Sequence, residues 1–239
     1  MKASALVVAE LRNGRTVLTD LRSEAPMALR ETGLREALPL GAMQRLSMLG
    51  SAAGPVGGDE LTMTVRVGAG ASLSVEAVAA TMVFPATDGA VSKQRLEIVV
   101  EADGYLRWAG QPLLVIEGGN HEQTISIRLE EGAQLDFLDE VALGRTGELP
   151  GRLDAHLRVE RNGTPLIDQR QVYDPASPAW KSTAGAGAFR HVRHHLVVGH
   201  RAESVVVAVV EAVTAARFPL AEDAELAITL GVDRCAGAD

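Results

Sequence analysis

The chain has 239 residues, of which 46% are apolar and only 3% aromatic, and its formal net charge is -8. This length allows one large all-β domain or two small ones, with a core built mainly from Val, Leu, Ala and Ile. The acidic balance argues against non-specific binding to phosphate backbones, and the single cysteine, Cys235, excludes an intrachain disulfide or a thiolate metal cluster within one chain.

Apolar and polar residues alternate with period two from end to end, which predicts strands. The first two cover residues 4–10 and 15–21. The run from Ala3 to Ala9 is interrupted by Glu10 and Arg12, too short for a secretory hydrophobic region, so a cytoplasmic protein is expected. Strands over 43–49 and 60–67 follow, the second with Leu61, Met63, Val65 and Val67 on one face. Next come 71–78, 94–101, 112–117, 123–130 and 133–143. Glycine turns at Gly68, Gly104 and Gly132 each close one strand and open another. That pattern fits either stacked, similar β layers or an ordinary meander with glycine at its corners.

Strands over 153–161 and 165–173 flank Asn162-Gly163, a dipeptide that supplies the positive φ values of a two-residue hairpin turn. A loop near 174–190 contains Pro175 and Pro178, and a strand covers 191–198. Residues 203–217 are rich in Ala and Val and lack turn residues, so helix and strand compete, with a short helix favoured. Residues 232–239 form a short tail. The apolar run Val205 to Val210 falls far short of the roughly 18 residues that span a bilayer. The expectation is a single mainly β domain over 1–239 with one or two short helices.

Enzyme signatures are missing. Gly54-Pro55-Val56-Gly57-Gly58-Asp59 lacks the Gly-Lys-Ser/Thr ending of a phosphate loop, and Gly68-Ala69-Gly70 lacks the third glycine of a dinucleotide fingerprint. There is no Gly-x-Ser-x-Gly elbow, and His121-Glu122 has no second histidine at zincin spacing. A non-enzyme with no stably bound cofactor is expected; a β-rich enzyme or small-ligand binder is the alternative.

Two groups of side chains are candidates for metal chemistry. His191, His194, His195 and His200 are good nickel or zinc ligands by type. A strand, however, places His191 and His195 on one face and His194 on the other, and surface histidines beside Arg190, Arg193 and Arg201 are the alternative. In the run Leu135, Phe137, Asp139, Val141, Leu143 an acid shares the inward face with four apolar residues. A buried carboxylate needs a donor such as Arg145, or a nearby cation or water path.

These residues in combination resemble the UreD (UreH) family of urease accessory proteins. The motifs are Gly57-Gly58-Asp59 before a strand, Ala79-Ala80-Thr81, Trp108 with Gln111-Pro112, an acid five residues before Gly144-Arg145, and Gly147-Glu148. Met82, Phe84 and Glu60 depart from the common pattern and resemble a divergent actinobacterial branch. The resemblance implies a β-helix-like stack of sheets. It also implies a scaffold that docks apo-urease to a helical accessory partner of UreF type and a GTPase of UreG type, with nickel in transit. Asp59 and Asp139 are the family acids expected to line a nickel path.

Overall fold

The computed structural model describes residues 1–37, 41–180, 182, 187, 189–199 and 213–232. Cys235, His200 and residues 201–212 lie outside them.

Two sheets face each other. The first contains β1 (Lys2–Arg12), β2 (Arg15–Ser23), β5 (Glu60–Val67), β8 (Ser92–Val100), β11 (Asn120–Leu129), β13 (Arg152–Arg161) and β14 (Thr164–Tyr173). The second contains β3 (Met27–Ala37), β4 (Gly41–Gly50), β6 (Ser72–Ala77), β9 (Tyr105–Ala109), β12 (Gln134–Leu143), β15 (His191–Val198), β16 (Val213–Ala221) and β17 (Ala224–Gly231). Two short strands, β7 (Thr81–Val83) and β10 (Leu113–Val115), continue the second sheet around a corner.

The chain winds between these walls, and equivalent strands of successive coils are parallel. In the first sheet Glu60 faces Lys93, Lys93 faces Glu122, and Glu122 faces Asp154. In the second, Ser72 faces Tyr105, which faces Gln134. The glycine turns stack on one another as well: Gly70 N–H donates to Ala102 O at 2.9 Å, and Asp103 N–H donates to Glu131 O at 3.0 Å. The stacked-layer reading therefore holds, and the meander does not, because neighbouring strands of the stack come from different coils.

Corrections follow from pairing. Among the described residues there is no helix, and Val213–Arg217, the described end of the segment read as helical, lies in β16. Antiparallel pairing of β16 with β17 overrides the weak local preference of an Ala/Val-rich sequence. The strands β3, β7, β9, β16 and β17 had no counterpart in the alternation pattern. The Asn162-Gly163 hairpin is present, with φ values of 50° and 75°. Asn13-Gly14 makes the same kind of turn between β1 and β2, with φ of 51° and 75°.

Apolar side chains between the two sheets form the main core, including Val65, Ile98, Ile127 and Phe137. A smaller core lies past the corner, around Val83, Leu113, Val115, Leu143, Leu153 and Trp180. The stack tolerates little added bulk where its connections cross. A Cβ on Gly151 would lie 2.3 Å from Gly119 O and 2.5 Å from Ile116 O, both backbone atoms. Gly151→Ala is expected to destabilise by about 2–3 kcal/mol and to lower Tm by roughly 5–10 °C, measured by thermal unfolding. An unchanged Tm would show that this crossing is loose.

Candidate functional site

The seam between the two cores sets polar side chains among the apolar ones. In the first sheet the inward row runs Leu61, Gln94, Gln123, Ala155, Gln171 across five strands. Opposite it, the inward position of β12 is Asp139, which pairs with His194 of β15. The equivalent place in the preceding coil is Gly110, whose N–H donates to Leu138 O at 3.2 Å. The seam is the corner of the coil: β6 stops before β7 and β9 before β10, whereas β12 runs through the corner with Asp139 at the bend. A row of small residues facing a row of polar ones leaves space.

That space is a series of cavities along the stacking axis. A mouth of about 320 Å³ opens among Met27, Met48, Pro55, Met82, Phe84 and Trp108. It shares Gln94, Leu96 and Trp108 with a neck of about 50 Å³, which shares Gln123, Ile125 and Asp139 with a second neck of about 20 Å³. The second neck includes His194 and shares Gln171 with another opening of about 390 Å³, bordered by Tyr173, Asp174, Ser177, Trp180 and Phe189. From β4 to β15 this line crosses four strand spacings, roughly 19 Å.

The electrostatics centre on Asp139. Burial, reinforced by the charge of neighbouring Glu140, pushes its carboxyl up to about 6. Its side chain nevertheless keeps 18% exposure, because it faces the internal cavity instead of packed atoms. His194 Nδ1 stands 4.0 Å from the Asp139 carboxylate, and burial pulls the imidazole down to about 4. At neutral pH the pair is therefore a carboxylate beside a neutral imidazole. Arg145, the expected donor, pairs instead with Glu148 at 2.5 Å. Tyr173 is held protonated by burial and by the charge of Asp139.

The other sequence candidates lie elsewhere. Asp59 is buried at the start of β5, where its carboxylate accepts from the Met1 ammonium at 2.7 Å and from Val56 N–H at 2.9 Å. Burial opposes its charge, but these donors outweigh burial and keep its pKa below the usual carboxylate value. Its carboxyl lies behind the loop Gly54-Pro55, which borders the wide mouth. His191 and His195 point to the outer face, near Glu140 and Asp136 respectively, and His195 Nε2 is 2.8 Å from Asp136 Oδ1. His194 alone of the three turns inward, so it is not a surface histidine. Among the described residues no three His, Cys, Asp or Glu side chains converge as a metal cage.

Gln94, Gln123 and Gln171 were not singled out from the sequence, although the signal existed. Gln123 begins the same inward row as Ile125, Ile127 and Leu129, the parity argument that exposed Asp139.

The sequence that builds this seam matches a family of known proteins. The profile of the family described as UreD urease accessory protein covers residues 1–237. The chain belongs to the UreD family. It is 34% identical to urease accessory protein UreD of Streptomyces coelicolor, over 98% of this chain and 91% of the relative. It is 34% identical to UreD 2 of Saccharopolyspora erythraea, over 82% of this chain and 68% of the relative. It is 36% identical to UreD of Streptomyces avermitilis, over 77% and 72% respectively. Membership in UreD ties the chain to urease maturation, and the name accessory protein fits a part played outside catalysis. Among the described residues no helix is long and apolar enough to cross a membrane.

One buried group of this UreD chain predicts its acid response. His121 is fully buried, 2.8 Å from Ser92 Oγ through Nδ1, and burial lowers its pKa from 6.5 to about 4. The unfolded chain takes up this proton below pH 6.5 and the folded chain refuses it. Its stabilising effect is therefore complete above pH 6.5 and declines as pH falls toward 4, by up to about 3 kcal/mol. His121→Gln is expected to be less stable at pH 7.5 but to lose less on acidification, read from denaturant midpoints across pH 4–7.5. An identical pH slope in the variant would contradict the assignment.

Proposed function

We propose that this UreD protein is a non-enzymatic scaffold in urease maturation, and that its polar seam is a passage by which nickel reaches apo-urease. The observation that carries this reading is the shared lining of successive cavities, from the methionine-rich mouth through Gln94, Gln123 and Asp139 to the opening at Tyr173 and Trp180. A cation in transit must bind weakly at several points, and scattered oxygen donors suit that better than a complete imidazole or thiolate cage. Asp139 supplies the negative charge inside the passage. Asp59 acts at its entry, fixing the loop that borders the mouth. The partners in this reading are apo-urease, a helical accessory protein and a GTPase. Nucleotide chemistry belongs to the GTPase, which agrees with the absence of a phosphate loop in this sequence. His195, on the outer face beside Asp136, would meet metal only at the surface, and His191, largely buried beside Glu140, lies on the outer side of the sheet away from the passage.

Two substitutions test the passage. Ala155 lines the narrower neck, and Leu in its place obstructs it. Ala155→Leu is expected to remain bound to urease in pull-downs while activation of apo-urease at limiting Ni²⁺ falls about tenfold or more. Full activation by this variant would reject a passage through the seam. Asp139→Asn removes a carboxylate whose burial costs the fold up to about 3 kcal/mol above pH 6. It is expected to raise Tm at pH 7.5, with the gain vanishing as pH falls toward 4, yet to slow nickel loading. A variant that is more stable and activates normally would deny Asp139 a part in transit.

A further inference from the structure

The necks hold a set of atoms that the fold leaves unsatisfied. Gln94 and Gln123 stack as consecutive rungs of the first sheet, and the Oε1 atom of each is buried without a hydrogen-bond partner. Across the seam His194 Nε2 is also buried without one. Gln123, Asp139 and His194 surround the same 20 Å³ space, and Gln94, Gln123 and Asp139 border the adjoining 50 Å³ space. An unpaired buried polar atom costs about 1–3 kcal/mol, and these three line two adjoining spaces, two to each, with Gln123 common to both.

We propose that Gln94, Gln123 and His194 act with Asp139 as a relay of substitute ligands, replacing the water shell of a divalent cation where the passage is too narrow for the hydrated ion. The inference rests on the passage reading and adds to it which atoms hold the cation. Size supports it: a water confined in a cavity takes about 10–15 Å³, so the six waters of a hydrated cation need roughly 60–90 Å³. The wider neck has about 50 Å³ and the narrower about 20 Å³. The ion must therefore shed part of its water in the wider neck and most of it in the narrower one, and dehydration is favourable only if protein donors take the vacated positions. Amide oxygens, one carboxylate and one neutral imidazole suit a later first-row divalent cation. A single negative charge keeps the hold weak enough for release.

The test compares full-length variants with the wild type, reconstituted with apo-urease and its accessory proteins across a range of NiCl₂ concentrations. Leu is close to Gln in volume and needs no partner, so the double variant Gln94→Leu/Gln123→Leu is expected to have an equal or higher Tm. It should nonetheless need roughly tenfold more Ni²⁺ for half-maximal urease activation. Gln123→Glu keeps an oxygen at the same reach and completes a carboxylate pair beside His194. It is expected to retain about one Ni²⁺ per chain through gel filtration, where the wild type retains none, and to release it slowly. Wild-type nickel dependence in the double Leu variant, with Ala155→Leu still blocking activation, would overturn the relay and leave the passage standing. Unhindered activation by Ala155→Leu would remove the passage itself, and the relay with it. Loss of folding in the double Leu variant would mean that the amide oxygens have structural partners, which also overturns the relay.

Discussion

In-register parallel stacking is the constraint on which the rest of this protein depends. Successive coils lie one strand spacing apart, about 4.8 Å, so each inward side chain must pack on its equivalent in the next coil. Where the row reads Val65, Ile98, Ile127, Val159, the result is a dry apolar column. Two inward rows nearer the corner it reads Leu61, Gln94, Gln123, Ala155, Gln171, and the same rule stacks glutamines in a column. Ala77 and Gly110 leave room on the facing wall, because neither fills the space its strand position commands. The seam is thus a direct product of stacking.

The corner explains why one acid stands out. Two coils interrupt their second-sheet strand at the bend, which lets Ala109-Gly110 and Ala77-Val78 turn without presenting bulk to the interior. The third coil does not interrupt, and β12 carries Asp139 through the bend with its carboxyl aimed inward. The nearby arginine is drawn off by Glu148, and the adjacent charge is another acid, Glu140. Asp139 therefore stays costly to ionise, unlike Asp59, which has the Met1 ammonium and a backbone donor.

Much of this was legible where the signal is local. Alternation located most strands of the stack, the Asn162-Gly163 turn fixed one hairpin, and parity alone sent Asp139 inward. The failures are those of local reading. In β3 a bulge between Glu31 and Leu34 shifts the phase of alternation, so counting by twos breaks down midway. The short strands β7 and β9 have too few residues to show a period. Parallel neighbours such as Gln94 and Gln123 are 29 positions apart, so their union into one column becomes visible only once the register is known. The same holds for Asp59, whose partner lies 58 positions away.

A chain selected for stability alone would not keep such a seam. Leu at Gln94 and Gln123 would extend the apolar columns and remove two desolvated oxygens, and Asn at Asp139 would spare the cost of a buried charge. Most other local choices in the stack favour packing: the β-branched columns, the glycine corners that accept positive φ, and the close crossing at Gly151. Several departures from that consistency lie in one strip: Gln94 Oε1, Gln123 Oε1 and His194 Nε2 each lack a protein partner and border a cavity, whereas others, such as His121 Nε2 and Arg217 Nε, lie outside it. Scattered defects would carry no meaning beyond imperfect packing. Aligned ones, in register over several coils, indicate a requirement that opposes stability, and movement of a charged species between the sheets is a requirement of that kind.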